Sequence, residues 1–147
     1  MKIGSAEASD LAAIRALLTQ ANLPSIDLDA EHLAHFRIAR ATNSDELAGI
    51  VGLEPYPPVG LLRSLAVVPE QHGAGIGTAL VDAIETAARG QGIVELVLLT
   101  TTAGRFFARR GYSVIARDAA PAALQSTREF AALCPASSVC MRKNIQT

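Results

Sequence analysis

Hydrophobic positions near the start of the chain recur with the period of an α-helix. Four of them follow the dipeptide Ser9-Asp10: Leu11, Ile14, Leu17 and Leu18. This pattern predicts an amphipathic helix behind an N-cap. The triplet Asn22-Leu23-Pro24 predicts the end of that helix, because Asn and Pro favour turns. A short second helix is expected over residues 30–36.

Residues typical of β-strands fill the next part of the chain. Arg37–Thr42 and Glu46–Leu53 flank the polar triplet Asn43-Ser44-Asp45, which predicts a hairpin. The three prolines of residues 54–58 indicate a loop, since proline cannot donate a hydrogen bond within a central strand. Another β-rich run, Leu61–Val68, stops at Pro69.

Helical and strand patterns then alternate to the end of the chain. We predict helices over Thr78–Arg89, Thr102–Arg110 and Ala122–Leu133, and strands over Val94–Thr100, Tyr112–Arg117 and Ser138–Lys143. The resulting order, α(α)ββ–βα–βα–αβ, indicates a mixed α/β fold. The length of 147 residues fits one domain over residues 1–147.

Composition and charge exclude several classes of protein. Half of the residues are hydrophobic, which excludes a disordered chain. The longest stretch without a charged residue, Phe130–Met141, has twelve residues and is too short to cross a bilayer. With no apolar leader at the start, we expect a cytoplasmic protein that binds no membrane. The net charge of −1 argues against nucleic acid as a partner. No His or Cys pair has zinc spacing, so no metal is expected.

The most informative stretch is a glycine-rich turn between a predicted strand and a predicted helix. It is Val67-Val68-Pro69-Glu70-Gln71-His72-Gly73-Ala74-Gly75-Ile76-Gly77-Thr78. Glycines let successive backbone N–H groups turn toward one concavity. The following helix adds unpaired N–H groups and the positive end of its dipole. Together these features predict a cradle for an anion such as a pyrophosphate.

Two common glycine motifs do not fit this turn. A P-loop is excluded because no Gly-Lys-Ser/Thr follows the glycines. A dinucleotide-binding fingerprint is excluded because it requires Gly or Ala where the chain has Thr78 or Leu80. On the residues alone, a turn with a purely structural role remains an alternative.

The turn resembles the acetyl-CoA signature of the GNAT N-acetyltransferases. That signature is Gln or Arg, two residues, Gly, one residue, and then Gly or Ala, and it maps onto His72, Gly75 and Gly77. His72 departs from the usual Gln or Arg. The stretch Phe106-Phe107-Ala108-Arg109-Arg110-Gly111-Tyr112 matches a second GNAT landmark. The resemblance implies the GNAT fold, a mixed and mostly antiparallel sheet that is splayed where acetyl-CoA lies, with helices on both faces.

The same resemblance implies acetyl-CoA as co-substrate and no metal. It places the pantetheine along the backbone of Leu65, Ala66 and Val67, and it places the pyrophosphate on the N–H groups of the loop. The loop residues concerned are His72, Gly73, Ala74, Gly75, Ile76, Gly77 and Thr78. Thr100, Phe106 and Phe107 complete the expected cofactor contacts.

The resemblance also indicates candidate catalytic residues. Phe107 occupies the position of the tyrosine that serves as general acid in many GNAT enzymes, so the thiolate leaves unaided or takes a proton from Tyr56. Glu54 is the candidate base, acting through water. Arg63 and Ser64 precede the cofactor strand, and one of them should face the acceptor because side chains alternate along a strand. Ser64 is then a candidate catalytic residue, and Arg63 suits a substrate carboxylate. Glu54 and Arg63 are equally compatible with surface positions.

Residues 98–112 resemble two narrower groups, the acetyltransferase domain of N-acetylglutamate synthases and the short arsenic-resistance N-acetyltransferases. Residues 61–67 and 127–141 also resemble the second group. Both groups imply a small amine acceptor, an amino acid or an analogue, with Thr101 and Ser137 beside Arg63. The basic residues that help the synthases to hold glutamate are absent from residues 135–139. Cys134 and Cys140 are interpreted either as ligands for a metalloid or as small buried residues.

Three functions therefore stand as hypotheses. The first is acetyl-CoA-dependent N-acetylation of an amino acid or a toxic amino-acid analogue. The second is glutamate N-acetylation in arginine biosynthesis, and the third is a catalytically silent module that binds acetyl-CoA. By analogy with the family, a homodimer through a late strand such as Ser138–Lys143 is also expected.

Overall fold

The computed structural model describes residues 1–42 and 44–146. The chain divides into two compact units. The first unit contains Met1–Glu54 and Arg63–Ala87, and the second contains Pro55–Leu62 and the residues from Ala88 onward. No helix in the described ranges is both long enough and apolar enough to span a bilayer.

The first unit carries the glycine-rich turn and the strands and helices around it. Its strands are β1 (Lys2–Ser5), β2 (Arg37–Arg40), β3 (Leu47–Tyr56) and β4 (Val59–Val67), and its helices are α1 (Leu11–Gln20), α2 (Ala30–Leu33) and α3 (Ile76–Gly90). The ends of β3 and α3 and the start of β4 belong to the second unit. β1 pairs antiparallel with β2, and β2 pairs antiparallel with β3.

Local sequence explains the ends of the first two helices. The Asp10 carboxylate accepts a hydrogen bond from the Glu7 N–H at 2.8 Å and so closes a 3-10 turn (Ala8–Asp10) before α1, and its side chain makes no cap bond to α1 itself. Asn22 adopts φ +59° after α1 ends, a left-handed conformation that Asn tolerates better than most residues. The Asp29 carboxylate caps α2 by accepting from the His32 N–H at 3.1 Å, as N-cap residues do.

The core of the first unit requires a glycine beneath an aromatic ring. Phe36 is fully buried among apolar residues of α1, α2, β2 and β3 that include Ile14, Leu18, Leu33, Ile38 and Ile50. A Cβ on Gly52 would lie 2.3 Å from the Phe36 ring. The ring therefore packs directly on the backbone of β3, and a side chain at position 52 would force the ring to move.

The second unit contains the remaining strands and helices. They are β5 (Glu95–Thr100), α4 (Gly104–Ala108), β6 (Ser113–Ile115), α5 (Ala122–Gln125), a π-helical turn (Glu129–Leu133) and β7 (Val139–Asn144). The first residues of β4 pair parallel with β5, from Val59↔Glu95 to Leu61↔Val97. β7 pairs antiparallel with both β5 and β6. A mixed, mostly antiparallel α/β class is thus confirmed.

Three sequence expectations require correction. Residues 54–58 are not wholly a loop, because β3 continues through Tyr56, and extended backbone accommodates the fixed φ of Pro55 at the loss of one donor. The expected helix over Ala122–Leu133 is interrupted. The buried Thr127 hydroxyl donates to the Leu124 carbonyl at 2.7 Å and accepts from the Phe130 N–H at 3.4 Å, which replaces helical hydrogen bonds. The short strand β1 was not predicted.

Two further expectations concern the hairpin after β2 and the strand Ser138–Lys143. β2 and β3 are antiparallel neighbours, as the hairpin requires, although Asn43 of the predicted turn lies outside the described residues. The central residues of β7, Cys140–Arg142, pair with β5 on one side and with β6 on the other. A homodimer through Ser138–Lys143 stays a prediction.

Candidate active site

The glycine-rich turn depends on two residues in the left-handed region. Gly73 has φ +84° and Gly75 has φ +80°, where residues with a Cβ are strained. A Cβ at either position would meet no other atom within 4 Å. Conformation rather than space therefore requires glycine at positions 73 and 75, and the backbone of the turn stays open to its surroundings.

The turn leads directly into the start of α3. The Gly75 carbonyl accepts a hydrogen bond from the Ala79 N–H at 3.1 Å, which begins the intrahelical ladder. The amide groups of Ile76 and Gly77 precede that bond, and the first N–H groups of a helix have no intrahelical partner. The first turn of α3 contains no acidic residue, so no side-chain charge offsets the positive end of its dipole. This end of the helix suits an anion.

His72 ties the turn back to the preceding strand. Its Nε2 lies 2.8 Å from the Val67 carbonyl oxygen at the end of β4, so this nitrogen is assigned as the donor. The ring is exposed. The residue that departs from the usual Gln or Arg thus closes the loop through a backbone contact.

A second group of polar residues surrounds the buried Arg63 side chain. Its Nη1 donates to Asp27 Oδ2 at 2.5 Å and to Glu54 Oε2 at 2.6 Å, and its Nη2 donates to Asp27 Oδ1 at 2.9 Å. The Arg63 side chain is fully buried, while those of Asp27 and Glu54 are 3% and 13% exposed. One guanidinium therefore faces two carboxylates, and the three groups carry a net charge of −1 when both acids are ionised.

The charge of Arg63 keeps the Asp27 carboxyl ionised. Burial raises the pKa of Asp27, but hydrogen bonds from Arg63 and its positive charge more than offset this effect. The pKa of Asp27 therefore lies below its usual value. A buried acid held in this way serves as the permanent counter-ion of the guanidinium.

Ser64 makes the backbone of β4 irregular beside this group. Its φ is +61°, an uncommon value for a residue with a side chain. Arg63 Nε donates to Ser64 Oγ at 3.0 Å, although neighbouring side chains of a regular strand point to opposite faces. The irregular backbone at Ser64 therefore brings the two side chains together, and which of them faces the acceptor stays a prediction.

Sequence analysis missed three residues of this cluster, Asp27, Asp29 and His32. A ring nitrogen of His32 and carboxylate oxygens of Asp27 and Glu54 all lie within 4.8 Å of one another. His32 Nδ1 is 2.9 Å from Asp29 Oδ1. The spacing Asp29-x-x-His32 at a helix start was the available signal, because it places both residues on one turn. Arg63 already supplies the cation between the two carboxylates, so we assign no metal here.

The remaining candidate residues belong to the second unit. Tyr56 packs against an apolar cluster that includes Leu61, Val97 and Phe130. Thr100 Oγ1 accepts from the Ala103 N–H at 2.9 Å and so shapes the turn before α4. Phe107 is 3% exposed and meets the rings of Phe106 and Tyr112 edge-on, at centroid distances of 5.2 and 5.4 Å.

Thr101 and Ser137 lie on exposed turns. Their contact with an acceptor stays a prediction, as does the contact of Thr100, Phe106 and Phe107 with the cofactor and the role of Tyr56 as an acid. The buried and partly buried positions of Cys140 and Cys134 are compatible with packing.

Comparison with known proteins gives one family match. Residues 9–112 match the model of the acetyltransferase (GNAT) family. An amino-acid acetyltransferase of Pseudomonas fluorescens (strain Pf0-1) is 42% identical over 71 residues, which make up 48% of this chain and 16% of the relative. The chain therefore spans about a sixth of the length of that curated relative.

Solved structures with the same fold contain coenzyme A. An N-acetylglutamate synthase from Neisseria gonorrhoeae, complexed with coenzyme A and N-acetyl-glutamate, is 25% identical with a TM-score of 0.83, and the match covers 99% of this chain and 35% of the synthase chain. A Mycobacterium tuberculosis protein in complex with CoA is 23% identical with a TM-score of 0.82, covering 98% of this chain and 99% of its own. The second likeness shows the fold alone.

Proposed function

Because the chain belongs to the acetyltransferase (GNAT) family, a family of acyltransferases, we propose that it transfers the acetyl group of acetyl-CoA directly to the amine of a small acceptor. The observation that carries the proposal is the turn at Gly73 and Gly75. Two left-handed glycines and a helix start without acidic residues form a site for an anion, and acetyl-CoA carries a pyrophosphate.

The cofactor is proposed to bind the first unit through backbone groups. The pyrophosphate is placed on N–H groups of the turn at residues 72–78, where glycine removes the side chains that would otherwise block approach. Within that turn, the N–H groups of His72 and Ala74 already donate to the Pro69 and Gln71 carbonyls, at 3.2 and 3.3 Å. The pantetheine follows the backbone of Leu65–Val67. Binding of CoA to the structural neighbours described above supports this assignment.

The acceptor is proposed to be an amino acid or a close analogue. Support comes from the name of the curated relative, an amino-acid acetyltransferase, and from the N-acetyl-glutamate in the Neisseria synthase. Resemblance to the arsenic-resistance enzymes adds toxic analogues, including arsenic-containing ones, to the candidates. The net negative charge of Arg63, Asp27 and Glu54 suits the ammonium group of such an acceptor.

This assignment changes the role proposed for Arg63. Its guanidinium already donates to Asp27, Glu54 and Ser64, so a substrate carboxylate would have to replace a buried carboxylate of the protein. We propose instead that Arg63 holds Asp27 and Glu54 in place beside the acceptor. The acceptor carboxylate, if there is one, binds elsewhere.

The reaction requires the ammonium to lose a proton before it attacks. Glu54 is proposed to accept that proton through a water molecule, with Ser64 in contact with the reacting groups. The amine nitrogen then bonds to the thioester carbonyl carbon, the C–S bond breaks, and the nitrogen releases its second proton to solvent. Phe107 cannot supply a proton, so the thiolate takes it from solvent or from Tyr56.

Two measurements test the proposal. Acetyl-CoA and CoA, but not NAD, should raise the melting temperature, since a ligand at 100 times its Kd adds about 2.7 kcal/mol. Release of CoA thiol should then be followed with glutamate, other amino acids, toxic amino-acid analogues and simple amines as acceptors. No shift with acetyl-CoA would contradict the assignment of the loop, whereas binding without transfer to any amine would favour the silent module. Transfer to glutamate alone would favour the biosynthetic alternative.

A further inference from the structure

We propose that His32 and Asp29 relay the acceptor's proton from Glu54 to solvent. This inference rests on the proposed function, because it concerns the proton that the acceptor ammonium must lose. Neither residue was a candidate from the sequence alone. The structure places them beside the carboxylates that surround Arg63.

The distances fit a relay through one water molecule. A ring nitrogen of His32 lies within 4.8 Å of carboxylate oxygens of Asp27 and Glu54. A direct hydrogen bond is shorter than this, but two hydrogen bonds of about 2.8 Å through a bridging water reach roughly that far. A proton taken up at Glu54 can therefore pass to the imidazole without movement of the backbone.

Asp29 fixes the ring for this role. Its carboxylate faces His32 Nδ1 at 2.9 Å and also accepts from the His32 backbone N–H at 3.1 Å. These hydrogen bonds from the His32 backbone and side chain lower the pKa of Asp29, so the acid remains an anion. An anion at Nδ1 favours the tautomer with its hydrogen there, which leaves the lone pair on Nε2. Within the described part of the chain, Nε2 donates and accepts no hydrogen bond.

Because His32 and Asp29 are partly exposed, a proton on the His32 ring can pass to solvent. The His32 and Asp29 side chains are 30% and 61% exposed, while those of Asp27 and Arg63 are almost fully buried. The charged groups around the imidazole are Asp29 on its own helix, Asp27 on the preceding loop, Glu54 on β3 and Arg63 on β4. His32 thus lies between a buried charged cluster and solvent.

The step balances as a simple proton transfer. The acceptor ammonium gives one proton through water to Glu54, a second water between Glu54 and His32 passes it to the His32 ring, and the imidazolium releases it to solvent. Glu54 returns to its carboxylate, and the neutral amine attacks the thioester. His32 is therefore a positioning and relay residue that acts through Glu54.

Kinetics of His32 variants form the first test. In His32→Gln, kcat/KM for the acceptor should fall by about 10²-fold, the lower end of what a placed proton acceptor contributes. The KM for acetyl-CoA should stay unchanged. Added imidazole should restore activity to His32→Ala, and Asp29→Asn should show a smaller loss in the same direction. His35→Gln, one turn further along, is the matched control and should behave as wild type.

A double variant forms the second test. In His32→Gln combined with Glu54→Gln, the loss of kcat/KM should be close to that of Glu54→Gln alone, because both residues act on the same proton. Additive losses, or wild-type kinetics in His32→Gln, would overturn the relay even if the enzyme acetylates amines. If wild type acetylates no amine, the proposed function fails and the relay fails with it.

Discussion

The Arg63 guanidinium and the Asp27 carboxylate meet through two parallel hydrogen bonds of 2.5 and 2.9 Å, with both side chains almost fully buried. Bidentate hydrogen bonds between a guanidinium and a carboxylate are among the stronger ones in proteins. Burying the two charges, however, costs much of the free energy that their attraction contributes. Removal of one partner is costly, because it leaves the other charge uncompensated. The pair therefore makes the candidate site sensitive to any change at either residue.

Asp27→Asn should destabilise the protein by about 3–5 kcal/mol at neutral pH, the usual cost of breaking a buried pair from one side. Because the folded-state pKa of Asp27 lies below the ordinary value of 3.8, its contribution is present above that pH. It is lost as the pH falls through the lower folded-state pKa. Urea unfolding from pH 3 to pH 7 should thus show a steeper acid loss in wild type than in the variant.

The matched control for this prediction is Asp10→Asn. Burial raises the pKa of Asp10, while a hydrogen bond from Arg40 and the backbone of Glu7 more than offset it, so the direction is the same. The Arg40 and Asp10 side chains, however, are 30% and 14% exposed. Solvent screens this pair, and its loss should cost about 1 kcal/mol or less. Equal losses of unfolding free energy in Asp27→Asn and Asp10→Asn would show that burial does not decide the cost of breaking these pairs.

Gly75→Ala should weaken acetyl-CoA binding by about tenfold or more. A residue with a Cβ costs about 1–2 kcal/mol in the left-handed region, so the turn would relax and its N–H groups would leave their positions. Gly90→Ala is the control, because its Cβ also meets open space but its φ is not positive. Calorimetric titration with acetyl-CoA should separate the two. Equal affinities in both variants would show that the turn does not hold the cofactor.

Gly52→Ala should destabilise the first unit by about 1–3 kcal/mol, the usual cost of overpacking. The added Cβ would lie 2.3 Å from the Phe36 ring, which is itself fully buried. The double variant Gly52→Ala with Phe36→Leu should lose less stability than the sum of the two single changes, since the smaller side chain makes room. Gly4→Ala in β1, where a Cβ meets nothing within 4 Å, should be close to neutral in the same thermal unfolding experiment.

The two cysteines should react at different rates with a thiol reagent at neutral pH. Burial raises the pKa of the Cys140 thiol, and the charge of Arg117 offsets this only in part. Since the thiolate is the reactive form, Cys140 should react on the time scale of unfolding. Cys134 is only partly buried and should react first. Mass spectrometry after brief alkylation gives the order, and rapid labelling of Cys140 in the native protein would contradict it.

Periodicity and turn chemistry were enough to predict most helices and strands. α1, α3, β5 and β7 lie within a few residues of their expected bounds, because each is long or strongly patterned. The prediction of helices and strands failed where a single side chain or a single pairing strand decides the local structure. The Thr127 hydroxyl interrupts a helical pattern, and β1 has little pattern of its own and depends on pairing with β2.

The sequence by itself determined the glycine-rich turn, since left-handed backbone at Gly73 and Gly75 is a local requirement that local residues reveal. Glu54, Arg63 and Ser64 were also visible as polar residues near the cofactor strand. Only the tertiary structure brought Asp27 and His32 to them, because residues separated by more than twenty positions meet through packing of α2 against the strands. The irregular backbone at Ser64, which places neighbouring side chains together, likewise follows from tertiary packing that overrides the local alternation of a strand.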